Sequence, residues 1–223
     1  MISVRNLDLV IAGRRIISGL DLDIADGRSV ALIGASGSGK TTLLNVLSLI
    51  LRPTAGDLTI DGERLERPSD RRRQRFWRER AAFVLQNYGL IDDETAGYNV
   101  MLSDPPLRKH RATTNPAVLD ALDRVGLRER VASPVAQLSG GEQQRVGIAR
   151  ALFKNAEYVF ADEPTASLDA ENRARVAELL LQPGDRARTV VVATHDLELA
   201  RRCDEIVDLT PSGANATESD APA

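Results

Sequence analysis

Alternating apolar and polar side chains mark the start of the chain. Residues 4–9 and 16–24 place Val, Leu and Ile mainly at alternate positions, with charged or small polar residues between them. A period of two is typical of a strand that buries one face. Residues 28–34 (RSVALIG) are instead a compact apolar run that enters a glycine-rich stretch. We therefore predict two half-exposed strands followed by one buried strand.

A helix is predicted directly after the glycines. Residues 41–51 (TTLLNVLSLIL) contain neither Gly nor Pro, and Pro53 closes the segment. Residues 56–62 (GDLTIDG) then have the pattern of a short strand between two glycines. The order of strand, glycine-rich turn and helix is thus predicted between residues 28 and 51.

The middle of the chain, from about residue 86 to residue 151, has a helical and loop-rich pattern. Residues 116–127 (PAVLDALDRVGL) carry apolar side chains at helical spacing, and Gly126 is a stop signal. We interpret this region as a helical subdomain inserted between strands.

Buried strands resume after this region. Residues 158–164 (YVFADEP) and 189–196 (TVVVATHD) are β-branched or aromatic runs that end in charged residues, and residues 171–181 between them are helical in pattern. Parallel strands joined by crossover helices have this pattern. Ligands of such sheets bind at the carboxyl ends of the strands, where these charged residues fall.

Composition narrows the class of protein. The 223 residues are 43% hydrophobic and 27% charged, with a net charge of −3 and one cysteine, Cys203. No apolar run approaches the ~18 residues of a membrane span, and the first residues lack the order of a secretion signal. We expect a cytosolic protein that does not bind nucleic acid through bulk charge, with a disordered tail at residues 211–223.

The stretch GASGSGKT fits the phosphate-loop pattern G-x-x-x-x-G-K-[ST] through Gly34, Gly39, Lys40 and Thr41. In this pattern backbone N–H groups and a helix N-terminus face the phosphates, and the lysine reaches the β- and γ-phosphates. The alternative is an ordinary glycine turn. The predicted nucleotide-binding residues here are Gly34, Ala35, Ser36, Gly37, Ser38, Gly39, Lys40, Thr41 and Thr42.

Acidic residues and a histidine end the later strands. A Mg²⁺ ion held by the Thr41 hydroxyl also needs a carboxylate from another buried strand, and Asp162 supplies it. Glu163 is a candidate general base for water, with a surface carboxylate as the alternative. His195 follows the next apolar run; a lone histidine there is more often structural.

Residues 138–145 (LSGGEQQR) point to the family. Two glycines after Ser139 open a helix, which makes a second anion-binding helix N-terminus. One triphosphate does not need two such ends from one subunit. The chain here resembles the ATP-binding cassette (ABC) family, in which this signature (Ser139, Gly140, Gly141 and Glu142) contacts ATP held by the opposite subunit.

The resemblance covers about residues 1–210 and implies an α/β, P-loop NTPase fold of the ABC type. That fold has a mostly parallel sheet core, an N-terminal antiparallel β subdomain and an inserted helical subdomain, here residues 86–151. It also implies roles for Gln86 at Mg²⁺ and water, for Glu163 as catalytic base, for Asp169 as dimer contact and for His195 as the switch histidine.

Two positions depart from the family pattern. Ile11 lies where an aromatic ring commonly stacks on adenine, and it offers apolar contact without a π-face. Tyr98 precedes Asn99 where the family often has Glu, in a segment that usually faces the membrane partner.

The arginine-rich run 71–80 allows two interpretations. It resembles a patch for nucleic acid or lipid headgroups, or it is a solvated helix face whose Phe76 and Trp77 pack inward. Similar arginines in family members favour the solvated face. We interpret His110 and Cys203 as structural.

The resemblance implies an ATP-hydrolysing transporter subunit that uses ATP and Mg²⁺, forms a homodimer, and works with an integral-membrane permease on a separate chain. It would be cytoplasmic and peripheral on the inner face of the membrane, with no nucleic acid as partner. The macrolide, lipoprotein and bacteriocin exporter branch is the most similar, so export is favoured over uptake. The alternatives are a cell-division cassette that signals through a membrane partner, a heterodimer, and a soluble cassette acting on DNA or ribosomes.

Overall fold

The computed structural model describes residues 1–102, 112–182 and 188–210. The strands within them are β1 (Ile2–Ile11), β2 (Arg14–Ile24), β3 (Ser29–Ile33), β4 (Ala55–Ile60), β5 (Glu63–Arg64), β6 (Ala81–Val84), β7 (Tyr158–Asp162), β8 (Thr189–Ala193) and β9 (Glu205–Asp208). The α-helices are α1 (Lys40–Leu47), α2 (Asp70–Glu79), α3 (Ala96–Met101), α4 (Pro116–Arg124), α5 (Gly140–Lys154), α6 (Ala170–Leu181) and α7 (Leu197–Arg202).

An antiparallel sheet is built from the N-terminal part of the chain, in the order β2-β1-β4-β5. Ile2 on β1 pairs with Ile24 on one side and with Ile60 on the other. Ile2, Val4, Leu7 and Leu9 on β1 are buried. Arg5, Val10 and Ile11 are exposed, so one face of the strand is buried over residues 4–9, as the alternation predicts. The antiparallel N-terminal sheet is confirmed.

A parallel sheet lies at the centre, in the order β6-β7-β8-β3-β9. Strands β7 and β8 are buried at every position, as their uninterrupted apolar runs predict. Their neighbour β3 pairs in parallel with β8, so the carboxyl ends of β3, β7 and β8 meet at one edge. That edge positions the site.

Helix α1 is shorter than the sequence predicts. It ends at Leu47 rather than near Leu51, because Leu49 adopts a left-handed backbone with φ 63°. The N–H groups of Ser48 and Leu49 bond back to Leu44 and Val46. The indole N–H of Trp77 donates to the Ser48 carbonyl at 2.8 Å, which satisfies an acceptor at the helix end.

Two hydrophobic cores flank the parallel sheet. One joins the antiparallel sheet, α1 and one face of the parallel sheet around Leu43, Leu58 and Phe160. The other joins the opposite face to α3, α4 and α5 around Val100, Leu122 and Ile148.

Helix α4 begins at the Asn115 cap and is followed by Gly126 at φ 72°, as predicted. The division into domains stays a prediction, and His110 and the tail 211–223 lie outside the described residues.

The arginine-rich run forms α2 and faces its own acidic neighbours. Phe76 is buried and Trp77 is half-buried. Arg72 pairs with Glu63 at 3.4 Å, and Arg75 pairs with Glu79 at 3.0 Å. This agrees with the solvated-face interpretation.

Cys203 is half-buried against the second core, and burial raises the pKa of its thiol to about 11. Among the described residues, no helix is long and apolar enough to cross a bilayer.

Candidate nucleotide-binding and hydrolysis site

The glycine loop connects the end of β3 to the start of α1, and its backbone requires glycine at two positions. Gly34 has φ 144° and Gly39 has φ 98°, both in the region that disfavours other residues. A β-carbon on Gly34 would lie 2.6 Å from the Ser38 hydroxyl oxygen, and one on Gly39 would lie 2.6 Å from the Ile16 side chain. The loop therefore curls tightly over the helix N-terminus.

Several hydrogen-bond donors lie at the N-terminus of helix α1. Helix α1 has no side-chain cap, so its first N–H groups and its dipole face the loop. The Lys40 ammonium donates to the carbonyls of Gly34 at 2.9 Å and Ala35 at 3.2 Å, across the loop. The Ser38 hydroxyl is buried without a hydrogen-bond partner among the described residues. A phosphate oxygen would satisfy that hydroxyl, so the loop fits a nucleotide phosphate.

Thr41 and Asp162 form the predicted metal pair. The Thr41 hydroxyl donates to Oδ1 of Asp162 at 2.9 Å. Asp162 is 7% exposed, and burial raises its pKa although the bond from Thr41 opposes this. A divalent cation would stabilise such a buried carboxylate, and a hydroxyl with a carboxylate suits Mg²⁺. Gln86 lies in an exposed turn just after β6.

Glu163 and His195 are brought together at the same edge. Oε2 of Glu163 accepts hydrogen bonds from the Thr194 hydroxyl at 3.2 Å and from the His195 backbone N–H at 3.3 Å. The Nδ1 atom of His195 lies 2.9 Å from the same oxygen. The Glu163 backbone is left-handed at φ 47°, and its N–H donates to the Ala193 carbonyl at 2.8 Å. The β8 end thus fixes both the backbone and the carboxylate of Glu163. Strained backbone of this kind is typical of functional positions.

The signature segment begins helix α5 with a reciprocal cap. The Ser139 hydroxyl accepts from the Glu142 N–H at 3.3 Å, and the Ser139 N–H donates to the Glu142 carboxylate at 2.8 Å. That backbone bond, with help from Arg130 at 3.4 Å, lowers the pKa of Glu142. Gly140 and Gly141 carry no side chains, so their N–H groups stay accessible at the helix N-terminus.

Comparison with known proteins places these features in one family. A sequence model of the family described as ABC transporter matches residues 17–166, which is more than half of the chain. The chain belongs to the ABC transporter family. As a member, it is an ATP-binding and ATP-hydrolysing cassette, with the α/β P-loop fold predicted from its sequence.

Individual members of the ABC transporter family resemble the chain over most of its length. The lipoprotein-releasing system ATP-binding protein LolD 1 of Caulobacter vibrioides is 45% identical over 85% of this chain and 82% of that protein. The macrolide export ATP-binding/permease protein MacB of Agrobacterium fabrum is 38% identical over 88% of this chain but only 30% of its own length. The cassette MJ0796, in a dimeric post-hydrolysis structure bound to ADP and phosphate, superposes with a TM-score of 0.83 at 32% identity, over 93% of this chain and 94% of that one.

Asp169 caps the next helix of the cassette. Its carboxylate accepts from the Asn172 N–H at 2.9 Å and from the Asn172 amide at 2.7 Å. The backbone bond from Asn172 lowers the pKa of Asp169. The aspartate therefore has a structural role within the subunit, and its dimer contact stays a prediction.

Ile11, the predicted adenine contact, lies at the end of β1 and is 42% exposed. A surface cavity of about 480 Å³ lies beside the phosphate loop. It is lined from the start of β2, the loop and the chain after β9, by residues that include Arg15, Ser18, Ser38 and Leu209. Ile11 pairs with Arg14 at the hairpin but is not part of this lining. Its contact with adenine stays a prediction.

Sequence reasoning missed Thr194, Tyr88 and Arg150. Thr194 is fully buried and its hydroxyl donates to Glu163. Its position between a buried strand and His195 is the sequence feature that could have indicated this role. Arg150 donates to the Tyr88 carbonyl at 2.9 Å, which ties the turn after Gln86 to helix α5. Nothing in the local sequence indicates that contact, because the two residues are far apart along the chain.

Proposed function

We propose that this cassette hydrolyses Mg²⁺-bound ATP at a composite site between two copies of the chain and so drives a separate integral-membrane permease in export. The observation that carries hydrolysis is the position of Glu163 beside Asp162, with the Thr41–Asp162 and Glu163–His195 pairs at one sheet edge. One pair suits a metal bound to phosphates, and the other suits an attacking water.

The residues of the chain have separate roles in this proposal. Lys40, the loop N–H groups and the Ser38 hydroxyl bind the phosphates, and Ile11 contacts the base. Thr41, Asp162 and Gln86 would hold Mg²⁺, which would supply positive charge against the triphosphate. Glu163 orients a water and takes its proton as the water oxygen bonds to the γ-phosphorus and the bond to ADP breaks. His195 positions Glu163.

Two observations support the composite site. None of the hydrogen bonds of the described residues joins the signature segment (Ser139–Glu142) to the phosphate loop (residues 34–42). The structures of MJ0796 are dimeric. A homodimer with two equivalent sites is the simplest assembly, because this chain carries every predicted catalytic element.

A surface groove supports docking of a permease helix. This groove, of about 430 Å³, is lined by Ile50, Trp77, Phe83, Leu85, Leu102, Arg150 and Lys154, among others. Ile50 in this lining is 42% exposed. Burial lowers the pKa of both Arg150 and Lys154, and the described residues give neither cation a carboxylate in an ion pair. We expect an apolar permease helix with an acidic side chain to fit this groove.

The names of two relatives support the proposed direction of transport. LolD is named as part of a lipoprotein-releasing system, and MacB as a macrolide exporter with its own permease. One name describes release of lipoproteins and the other export of macrolides, so we propose that this chain drives export from the inner face of the membrane. The pairing of the α2 arginines with neighbouring carboxylates argues against the alternative of a nucleic-acid surface.

Affinity purification from the native host tests this proposal. A tagged Glu163→Gln variant is held with ATP and Mg²⁺, and proteins that co-purify from solubilised membranes are identified. We expect a polytopic permease, and the matched Lys154→Glu variant should lose it while still binding ATP. A permease of the cell-division type would support the signalling alternative, and recovery of DNA or ribosomes without membrane protein would overturn the transporter proposal.

A further inference from the structure

Tyr88 lies where three functional segments meet. These are the glutamine loop (residues 85–90), the signature segment (Ser139–Glu142) and the dimer-contact loop (residues 167–169). The side chain of Tyr88 is half-buried. The three segments are distant in the sequence, so their meeting at one side chain is a property of the fold.

The backbone of Tyr88 is fixed by helix α5. Arg150 donates to the carbonyls of Gly89 at 2.5 Å and Tyr88 at 2.9 Å, so one guanidinium satisfies two neighbouring acceptors. Tyr88 itself has φ 62°, which is uncommon outside glycine. A backbone of this kind persists only where surrounding contacts hold it, and Arg150 supplies them.

The phenol of Tyr88 reaches the other two segments. Its hydroxyl lies 3.1 Å from the Ser167 hydroxyl of the dimer-contact loop. A β-carbon on Gly140 would lie 3.1 Å from the same phenol oxygen, and one on Gly141 would lie 3.1 Å from the Ser167 carbonyl. The phenol is therefore packed on the first turn of the signature helix while it bonds the dimer-contact loop.

We propose that Tyr88 is a positioning residue, which holds the glutamine loop, the signature segment and the dimer-contact loop in one arrangement through its bond to Ser167. Gln86 is two residues before Tyr88, and Asp169 is two residues after Ser167. A shift at either end of the Tyr88–Ser167 bond would therefore move Gln86, a predicted metal ligand, or Asp169, the predicted dimer contact. This inference rests on the proposed composite site.

Steady-state ATPase kinetics of single and double variants test this role. Tyr88→Phe and Ser167→Ala each remove one hydroxyl and keep the rest of the contact. We expect each variant to lower kcat roughly 3- to 10-fold, the effect of one hydrogen bond, with the KM for ATP within about 2-fold of wild type. The double variant should be no slower than the slower single variant, because both remove the same bond.

Two further variants separate positioning from general stability. Ser167→Thr keeps a hydroxyl and should retain kcat within about 2-fold of wild type. Tyr158→Phe removes a tyrosine hydroxyl that bonds Asp61 at 2.9 Å, at the opposite end of β7 from Asp162. It should leave kcat unchanged even though it removes a comparable hydrogen bond.

Three results would overturn the Tyr88 proposal. These are wild-type kcat in both single variants, independent effects that multiply in the double variant, or an equal loss of kcat in Tyr158→Phe. Each of these results is a comparison with wild-type protein that hydrolyses ATP. None of them would therefore contradict the proposed function. A wild-type protein without ATPase activity would instead defeat the proposed function.

Discussion

Nδ1 of His195 lies 2.9 Å from Oε2 of Glu163, although the two residues follow different strands and are separated by a helix in the sequence. The exposed fraction of the side chain is 71% for His195 but only 13% for Glu163. The histidine therefore contacts, from the surface, a carboxylate that Thr194 also holds. A ligand at the phosphate loop would meet both groups at the same sheet edge.

The first prediction concerns Glu163. Glu163→Gln keeps the size of the side chain and removes the carboxylate that would take a proton from water. We expect ATP hydrolysis to fall at least about 100-fold while ATP affinity stays close to wild type. Phosphate release and nucleotide binding, measured on the same preparation, check this. Hydrolysis within a few-fold of wild type would exclude Glu163 as the base.

The second prediction concerns Lys40. Lys40→Ala removes the ammonium that lies across the loop and leaves phosphate charge uncompensated at a helix N-terminus. We expect ATP affinity to fall at least about 10-fold with little change in thermal stability, because the side chain bonds only loop carbonyls in the protein itself. Titration with a fluorescent ATP analogue measures the loss. Wild-type affinity would refute the phosphate-loop assignment.

The third prediction concerns stability in acid. Burial alone would raise the pKa of Asp61, but hydrogen bonds from the N-terminal amine, Arg80 and Tyr158 outweigh it and lower the pKa to about 2. A lowered pKa in the folded state means that Asp61 stabilises the protein above its unfolded value of 3.8, and that this contribution is lost as pH falls toward about 2.

Asp61→Asn tests that linkage. We expect it to lower the free energy of unfolding by about 1 kcal/mol at neutral pH, a value discounted because the side chain is partly exposed. The difference from wild type should shrink between pH 4 and pH 2, as measured by urea unfolding. A difference that stays constant over this range would show that the charge of Asp61 is not involved.

The fourth prediction concerns helix α2. Replacing Arg71, Arg72 and Arg73 by Ser removes exposed ion pairs such as Arg72–Glu63 at 3.4 Å. Surface pairs contribute about 0 to 1 kcal/mol each, so we expect ATPase activity within about 2-fold of wild type. Membrane recovery of the permease should also be unchanged. Loss of recovery with intact ATPase activity would show that these arginines bind the partner.

Much of the fold could be predicted from short-range patterns. The one-faced burial of β1 and the full burial of β7 and β8 follow from alternation and from uninterrupted apolar runs. The edge strands β6 and β9 were missed because each is only four residues long. The early end of α1 was missed because the left-handed backbone of Leu49 has no signal in the residue itself.

The site was predictable to the extent that its residues lie in local motifs. The phosphate loop and the Asp162–Glu163 pair could be predicted because each is a short sequence motif next to a buried strand. In the structure the Thr41 hydroxyl lies 2.9 Å from Oδ1 of Asp162. Contacts between distant segments were not predictable. Arg150 with Tyr88, and Tyr88 with Ser167, depend on how three loops pack, which sequence spacing does not specify.

The central claim is that ATP is held between two copies of the chain. Light scattering of Glu163→Gln with ATP and Mg²⁺ tests it most directly, with a matched Glu163→Gln/Ser139→Arg variant whose added side chain blocks the signature segment. We predict an ATP-dependent dimer for the first protein and a monomer with unimpaired ATP binding for the second. A Glu163→Gln protein that stays monomeric, or a dimer that Ser139→Arg leaves intact, would contradict the composite site.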